Sequence, residues 1–224
     1  MYAFDWSSIP GSLPFLWDGF LRTLCVTLFA GLVGVLLGIV LALARLSATR
    51  FLSTAAATYI NSFRAVPLVM VLLWFYLLVP QLFASWTTVL GWDTRFISAL
   101  VAFSLFEASY YAEIIRTGVQ SVGSGQMAAG LALGLTPLAT MRLIILPQAF
   151  RRMIPLLLTQ AIILFQDTSL VYVIGLADFF GIAYRTGQRD GTLVEMLLFV
   201  GAVYLLICSV ASALIRTAKT RLTS

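Results

Sequence analysis

Apolar residues run in five long blocks along this chain, at about residues 21–44, 66–85, 96–116, 151–175 and 192–215, separated by short polar or basic stretches. Crossing the hydrocarbon core of a bilayer takes roughly 20 apolar residues as a helix, so each block is a predicted membrane span. The pattern therefore predicts an all-α, polytopic membrane protein of about five transmembrane helices, folded as one domain over residues 1–224. Between the third and fourth blocks, residues 121–158 stay apolar but are interrupted by glycine and proline and carry only basic charge. This stretch does not read as a span. Gly134 falls where a helix would end at C′, Thr136 where the next would be N-capped and Pro137 at N1, which predicts two short helices meeting at a corner. A short apolar helix outside the bilayer must be covered by protein, and a helix over 125–135 within a loop of about residues 117–150 is the predicted docking element for a partner.

Composition narrows the class. With 61% hydrophobic and 10% charged residues and a mean hydropathy of +1.00, the chain lies outside the soluble globular range. Ten of the fourteen Lys and Arg residues fall in three segments: Arg45, Arg50 and Arg64; Arg116, Arg142, Arg151 and Arg152; and Arg216, Lys219 and Arg221. None of these segments holds Asp or Glu, whereas the alternate segments mix both signs. Basic residues in short loops stay on the cytoplasmic side, so the N-terminus is predicted outside and the C-terminus inside. The net charge of +5 is mostly this topology signal and not a nucleic-acid footprint. No basic leader precedes the first block, which reads as a permanent anchor. There is no histidine, which excludes His-based metal and acid–base chemistry. Cys25 and Cys208 lie in apolar blocks and read as packing residues.

Several positions in or beside the blocks carry candidate chemistry. Asp167 lies about sixteen residues, roughly 24 Å, into the fourth block, where an acid faces a cavity or a partner. A break is predicted near Gln166, with Asp167, Thr168 or Ser169 capping a second element. In this reading Asp167 is available to a cationic group of a ligand, and the Thr168 and Ser169 hydroxyls to an anionic one. Glu107 lies about 14 Å into the third block, either lining a cavity or hydrogen-bonding another span. Glu113 is placed to pair with Arg116 at i,i+3, and Arg64 is placed at the inner surface, as a lipid anchor or a pathway residue. Gly34 and Gly38 predict close packing of the first span on another helix. Trp74, Trp86 and Trp92 are predicted at the outer interface.

The corner segment resembles the loop shared by permease subunits of ABC importers, whose pattern is Glu-Ala-Ala, three residues, Gly, nine residues, Ile-x-Leu-Pro. Here it stands as Ala128-Ala129-Gly130, Leu131-Ala132-Leu133, Gly134, nine residues, Ile144-Ile145-Leu146-Pro147. Ala128 replaces the Glu and Gly130 replaces the second Ala, so packing in place of an ion pair would carry the contact with the ATPase. Phe63-Arg64-Ala65-Val66-Pro67, the run from Phe106 to Arg116, Gly125-Gln126, Leu146-Pro147-Gln148-Ala149-Phe150-Arg151 and Asp167-Thr168-Ser169-Leu170 are similar to the polar amino-acid branch of these permeases. The run from Leu164 to Val173 is most similar to permeases of glutamate/aspartate importers, with Gln166 where the branch usually has Lys. The resemblance implies an importer permease of the bacterial inner membrane, working by alternating access. Its implied partners are a second permease subunit (a homodimer being the alternative), two copies of a cytoplasmic ATPase that hold the ATP and Mg, and a periplasmic amino-acid-binding protein. It implies no cofactor in this chain, which also lacks a Gly-x-x-x-x-Gly-Lys-Ser/Thr phosphate loop. In the corner it assigns Gly125, Gln126, Ala128, Ala129, Ala132, Leu133, Gly134, Pro147 and Arg151 to ATPase coupling. In the spans it assigns Asp167, Thr168, Ser169, Gln166, Glu107, Glu113 and Arg64 to the substrate pathway. A gradient-driven secondary transporter or channel is the competing class.

Overall fold

The computed structural model describes residues 4–90 and 93–223, apart from the side chains of residues 83–90 and 218–223. Among the described residues nine α-helices follow in order: α1 (Ser8–Leu46), α2 (Arg50–Ala65), α3 (Leu68–Leu90), α4 (Thr94–Gln120), α5 (Ser124–Ala132), α6 (Pro137–Thr140), α7 (Leu146–Asp167), α8 (Phe179–Asp190) and α9 (Leu193–Thr223). No strand occurs among the described residues. Among the described residues four helical runs are long and apolar enough to cross a membrane, Ser8–Leu46, Thr94–Gln120, Pro137–Ile174 and Leu193–Thr217, and α2 with Leu68–Leu82 of α3, bent by 106°, count as a fifth if the pair is taken as one span.

The bundle is built with small residues inside and large ones outside. The buried positions of α1 are Ser12, Leu16, Gly19, Thr23, Val26, Ala30, Gly34, Gly38 and Ala42, one narrow face repeating every three or four residues. Leu28, Leu32, Leu36 and Leu43 on its other faces are exposed, as they must be where the surrounding solvent is hydrocarbon. A Cβ on Gly34 would lie 2.9 Å from Glu107 Cβ, and one on Gly38 2.8 Å from Tyr111 Cβ. The close packing predicted for this pair is therefore made against α4, and any larger residue would force the two helices apart. The main core joins Val26 and Ala30 of α1, Val71 and Leu72 of α3, Ala102 and Phe103 of α4 and Leu164 of α7. A second core seats α8 on α1 and α9 through Leu16, Phe179, Ala183, Met196 and Val200.

Several boundaries differ from the hydropathy blocks. The first helix begins at Ser8, not near residue 21; it takes Pro10 in its first turn, where the missing N–H costs nothing, and holds Pro14 in its interior. Residues 50–65 form a full helix, with Pro67 one residue ahead of α3; Pro67 O accepts from the Met70 and Val71 amides. The second helix of the corner is not short, because α6 passes through a π-turn (Met141–Ile145) directly into α7. That wider turn carries the chain over Pro147, which has no N–H for the α-helical ladder. Of the three tryptophans, Trp74 lies exposed on α3; the Trp86 side chain and Trp92 lie outside the described residues.

Candidate functional site

Around Asp167 the α-helix ends within one residue of the predicted break and a second element follows, but no side chain caps it. Asp167 remains helical as the last residue of α7, with φ −66° and ψ −24°, and its side chain makes no cap. The chain then tightens into a 3-10 helix (Thr168–Ile174), which Gly175 ends with φ +76°. The cap of the following element is Asp178, whose carboxylate accepts from the Phe180 and Gly181 amides at 3.2 and 2.9 Å. A left-handed Gly followed by Asp three residues on is a stop-and-start signal that was present in the sequence.

Asp167 nonetheless lines a cavity of about 410 Å³. Its walls come from the α2–α3 corner (Arg64 to Leu68), from α4 (Phe106 and Tyr110) and from α7 (Gln160, Ile163 and Asp167). On α7, Gln160 and Asp167 are seven residues apart, two turns and roughly 10 Å along one face. Arg64, the last basic residue of α2, lies with its guanidinium carbon 5.5 Å from the Tyr110 ring centroid. It also stands 3.8 Å from Glu113 Oε1, whereas Arg116 binds the same carboxylate at 2.6 and 2.9 Å. Glu113 is thus committed to Arg116, the i,i+3 partner predicted for it, and only loosely to Arg64. Two cations share one carboxylate, which leaves positive charge on the Arg64 side.

The other candidates take different places. Glu107 is fully buried and does not line the cavity; Gln160 Nε2 donates to both its oxygens at 3.2 and 3.1 Å. This is the hydrogen bond to another span, and it makes Gln160, absent from the sequence-based set, the group through which Glu107 acts on the cavity. Thr168 is buried and its hydroxyl donates back to Phe165 O at 2.7 Å. That hydroxyl proton is therefore engaged within the chain. Ser169 is half-buried and Gln166 exposed, and neither lines the cavity. The structure brings together Arg64, Gln160 and Asp167.

The corner is a second site of opposite character. Leu135 N donates to Gly130 O and Gly134 N to Leu131 O, both at 3.0 Å, while Gly134 takes φ +81°. These two bonds with a left-handed glycine form a Schellman stop. Thr136 then caps α6, accepting from Ala139 N at 3.2 Å, with Pro137 at the first position. Gly130 packs so tightly that an added Cβ would lie 2.4 Å from Thr140 Cγ2. Ala128, Ala129 and Ala132 are exposed, and Leu133, Leu138 and Leu143 are 80%, 78% and 65% exposed. Gly125, Pro147 and Arg151 are exposed as well, and Gln126 is tied to Gln148 at 3.2 Å. Val122, Ile145, Ala149 and Met153 form the small core that holds the corner against α4.

Known proteins resemble the chain throughout its length. Residues 34–224 match the family described as binding-protein-dependent transport system inner membrane component. The glutamate/aspartate import permease protein GltK of Escherichia coli O157:H7 is 57% identical, with 99% of each chain covered. The arginine transport system permease protein ArtQ of Bacillus subtilis is 35% identical over 89% of each chain. Among solved structures, an amino acid ABC transporter crystallised with histidines matches with a TM-score of 0.87 and 29% identity, covering 98% of this chain and 100% of that one. The MetNI methionine ABC transporter shares the fold, with a TM-score of 0.73 and 19% identity over 93% and 98% of the two chains.

Proposed function

The chain belongs to the binding-protein-dependent transport system inner membrane component family and is a permease subunit of an ABC importer; from that premise we propose that its substrate is an acidic amino acid, glutamate or aspartate. The observation that carries this reading is the cavity lined by both Arg64 and Asp167. An α-amino acid is a zwitterion, and the cavity offers one cation and one carboxylate, with an amide from Gln160. Arg64 takes a carboxylate with a fork of N–H donors. Asp167 takes the ammonium with its carboxylate. The 57% identity to a permease named for glutamate and aspartate supports the acidic class.

Transport follows by alternating access. The corner α5–α6 is the surface on which a cytoplasmic ATPase seats, its exposed Ala and Leu side chains taking the place of the missing Glu in the family pattern. ATP and Mg belong to that partner, and this chain carries no cofactor of its own. Arg116 gives the movement a path, since it binds both Glu113 beside Arg64 and Gln120, four residues before α5. A shift of α5 that pulls Arg116 away frees Glu113 to compete with the substrate for Arg64. A second permease subunit completes the pathway, and a periplasmic binding protein delivers the amino acid. The N-terminus lies outside and the C-terminus inside.

Uptake into proteoliposomes holding the assembled importer, its ATPase and its binding protein tests the reading. L-glutamate and L-aspartate are expected to enter and to compete with each other, with arginine and glutamine at least tenfold poorer. Equal uptake of arginine would overturn the acidic assignment.

A further inference from the structure

We infer that the groove between the outer ends of α1 and α4 is a binding site for an aminophospholipid such as phosphatidylethanolamine. The two helices run parallel, since Gly34 sits on Glu107 and Gly38 on Tyr111, a step of four on each. They are closest there and leave a groove of about 570 Å³ toward their N-terminal ends. One end of the groove is charged, with Arg22 from α1 and Asp93, the cap of α4. Seven residues further along each helix, roughly 10 Å deeper, the lining has become Phe29 and Leu100, with Phe96 and Leu176 between.

A single molecular class fits this arrangement. Arg22 is exposed and takes part in none of the three ion pairs among the described residues. Asp93 Oδ1 accepts from Arg95 N at 2.9 Å as the helix cap, and its second oxygen has no partner among the described residues. A cation and a carboxylate oxygen, each without a partner among the described residues, at one end of an apolar slot match the phosphate and the primary ammonium of an aminophospholipid, with an acyl chain lying along Phe29. A choline headgroup cannot donate to Asp93, and a glycerol headgroup brings no positive charge to it. Basic groups at the headgroup level draw phosphate, and the adjoining carboxylate adds the selection among headgroups.

Native mass spectrometry of the assembled importer, released from nanodiscs of equal phosphatidylethanolamine, phosphatidylcholine and phosphatidylglycerol, tests the site. The wild type is expected to retain phosphatidylethanolamine at least fivefold over either competitor. Arg22→Gln should lower retention of all three at least tenfold. Asp93→Asn keeps the cap, because the amide oxygen still accepts from Arg95 N, and should reduce the preference over phosphatidylcholine to parity. Phe29→Trp fills the slot with both charges in place and should expel the lipid. Retention unchanged in Arg22→Gln and Phe29→Trp would overturn the site, as would equal retention of the three lipids by the wild type. A groove free of lipid because the second permease subunit covers it would overturn it too.

Discussion

The cavity and the corner break the usual distribution of residues in opposite senses. Around the cavity, polar groups are held against the bundle: Glu107 is fully buried and bound by Gln160, and Arg64 and Asp167 line one half-open space. At the corner, apolar groups stand outside: Leu133 and Leu138 are about four-fifths exposed on a segment with no charged residue between Ser124 and Met141. A polar group kept in an apolar interior points to a small polar ligand, and an apolar face kept in a polar loop points to a protein. The contrast also separates the two kinds of failure that mutation should cause. Corner variants should lose the partner, and cavity variants should lose the substrate with the partner retained.

The largest effect is expected at Gly134. At φ +81° a β-branched residue is strained, by about 1–2 kcal/mol for the left-handed backbone alone, and Gly134→Val should unseat the Schellman turn. Co-purification should then yield less than a tenth of the wild-type ATPase with normal amounts of permease in the membrane. Gly130→Ala sharpens the same point by packing, because the new methyl meets Thr140. It should weaken ATPase recovery severalfold, and the double variant Gly130→Ala with Thr140→Ala should restore it. Full recovery in the single variant would remove the tight packing from the account.

The next effect belongs to the cavity. Asp167→Asn keeps size and removes charge, weakening a charged hydrogen bond worth about 1.5–3 kcal/mol, so uptake at low substrate should fall about ten- to a hundredfold. ATPase recovery should be unchanged. A smaller effect is expected for Gln160→Leu, which leaves Glu107 buried without the two bonds it now receives. Its thermal midpoint should drop by several degrees, and uptake should fall by less than in Asp167→Asn. Loss of uptake greater than in Asp167→Asn would make Gln160 the principal substrate contact.

Much of the corner was legible because its signals are local. Gly134, Thr136 and Pro137 each dictate a backbone state by themselves, and the structure shows each in that state. What escaped was the continuation of α6 into α7, since a π-turn has no composition of its own. The departure of Gly130 from the family pattern also needed the structure: Thr140, ten residues on, occupies the space of the missing methyl. In the cavity, single acids were legible from depth in an apolar block, but their partners were not. Gln160 is one uncharged polar residue in a helix, and only the fold sets it against Glu107. Thr168 and Ser169 were singled out by adjacency to Asp167. On a tightening helical turn adjacent residues point to different sides, so only Asp167 reaches the cavity.

The central claim is that the charged pair in the cavity recognises the amino acid while the corner separately holds the ATPase. Uptake of radiolabelled L-glutamate by proteoliposomes holding the Arg64→Gln importer, at matched ATPase content, tests it most directly. The account predicts uptake reduced at least tenfold at low substrate with ATPase stoichiometry equal to that of the wild type. Wild-type uptake in that variant would contradict it.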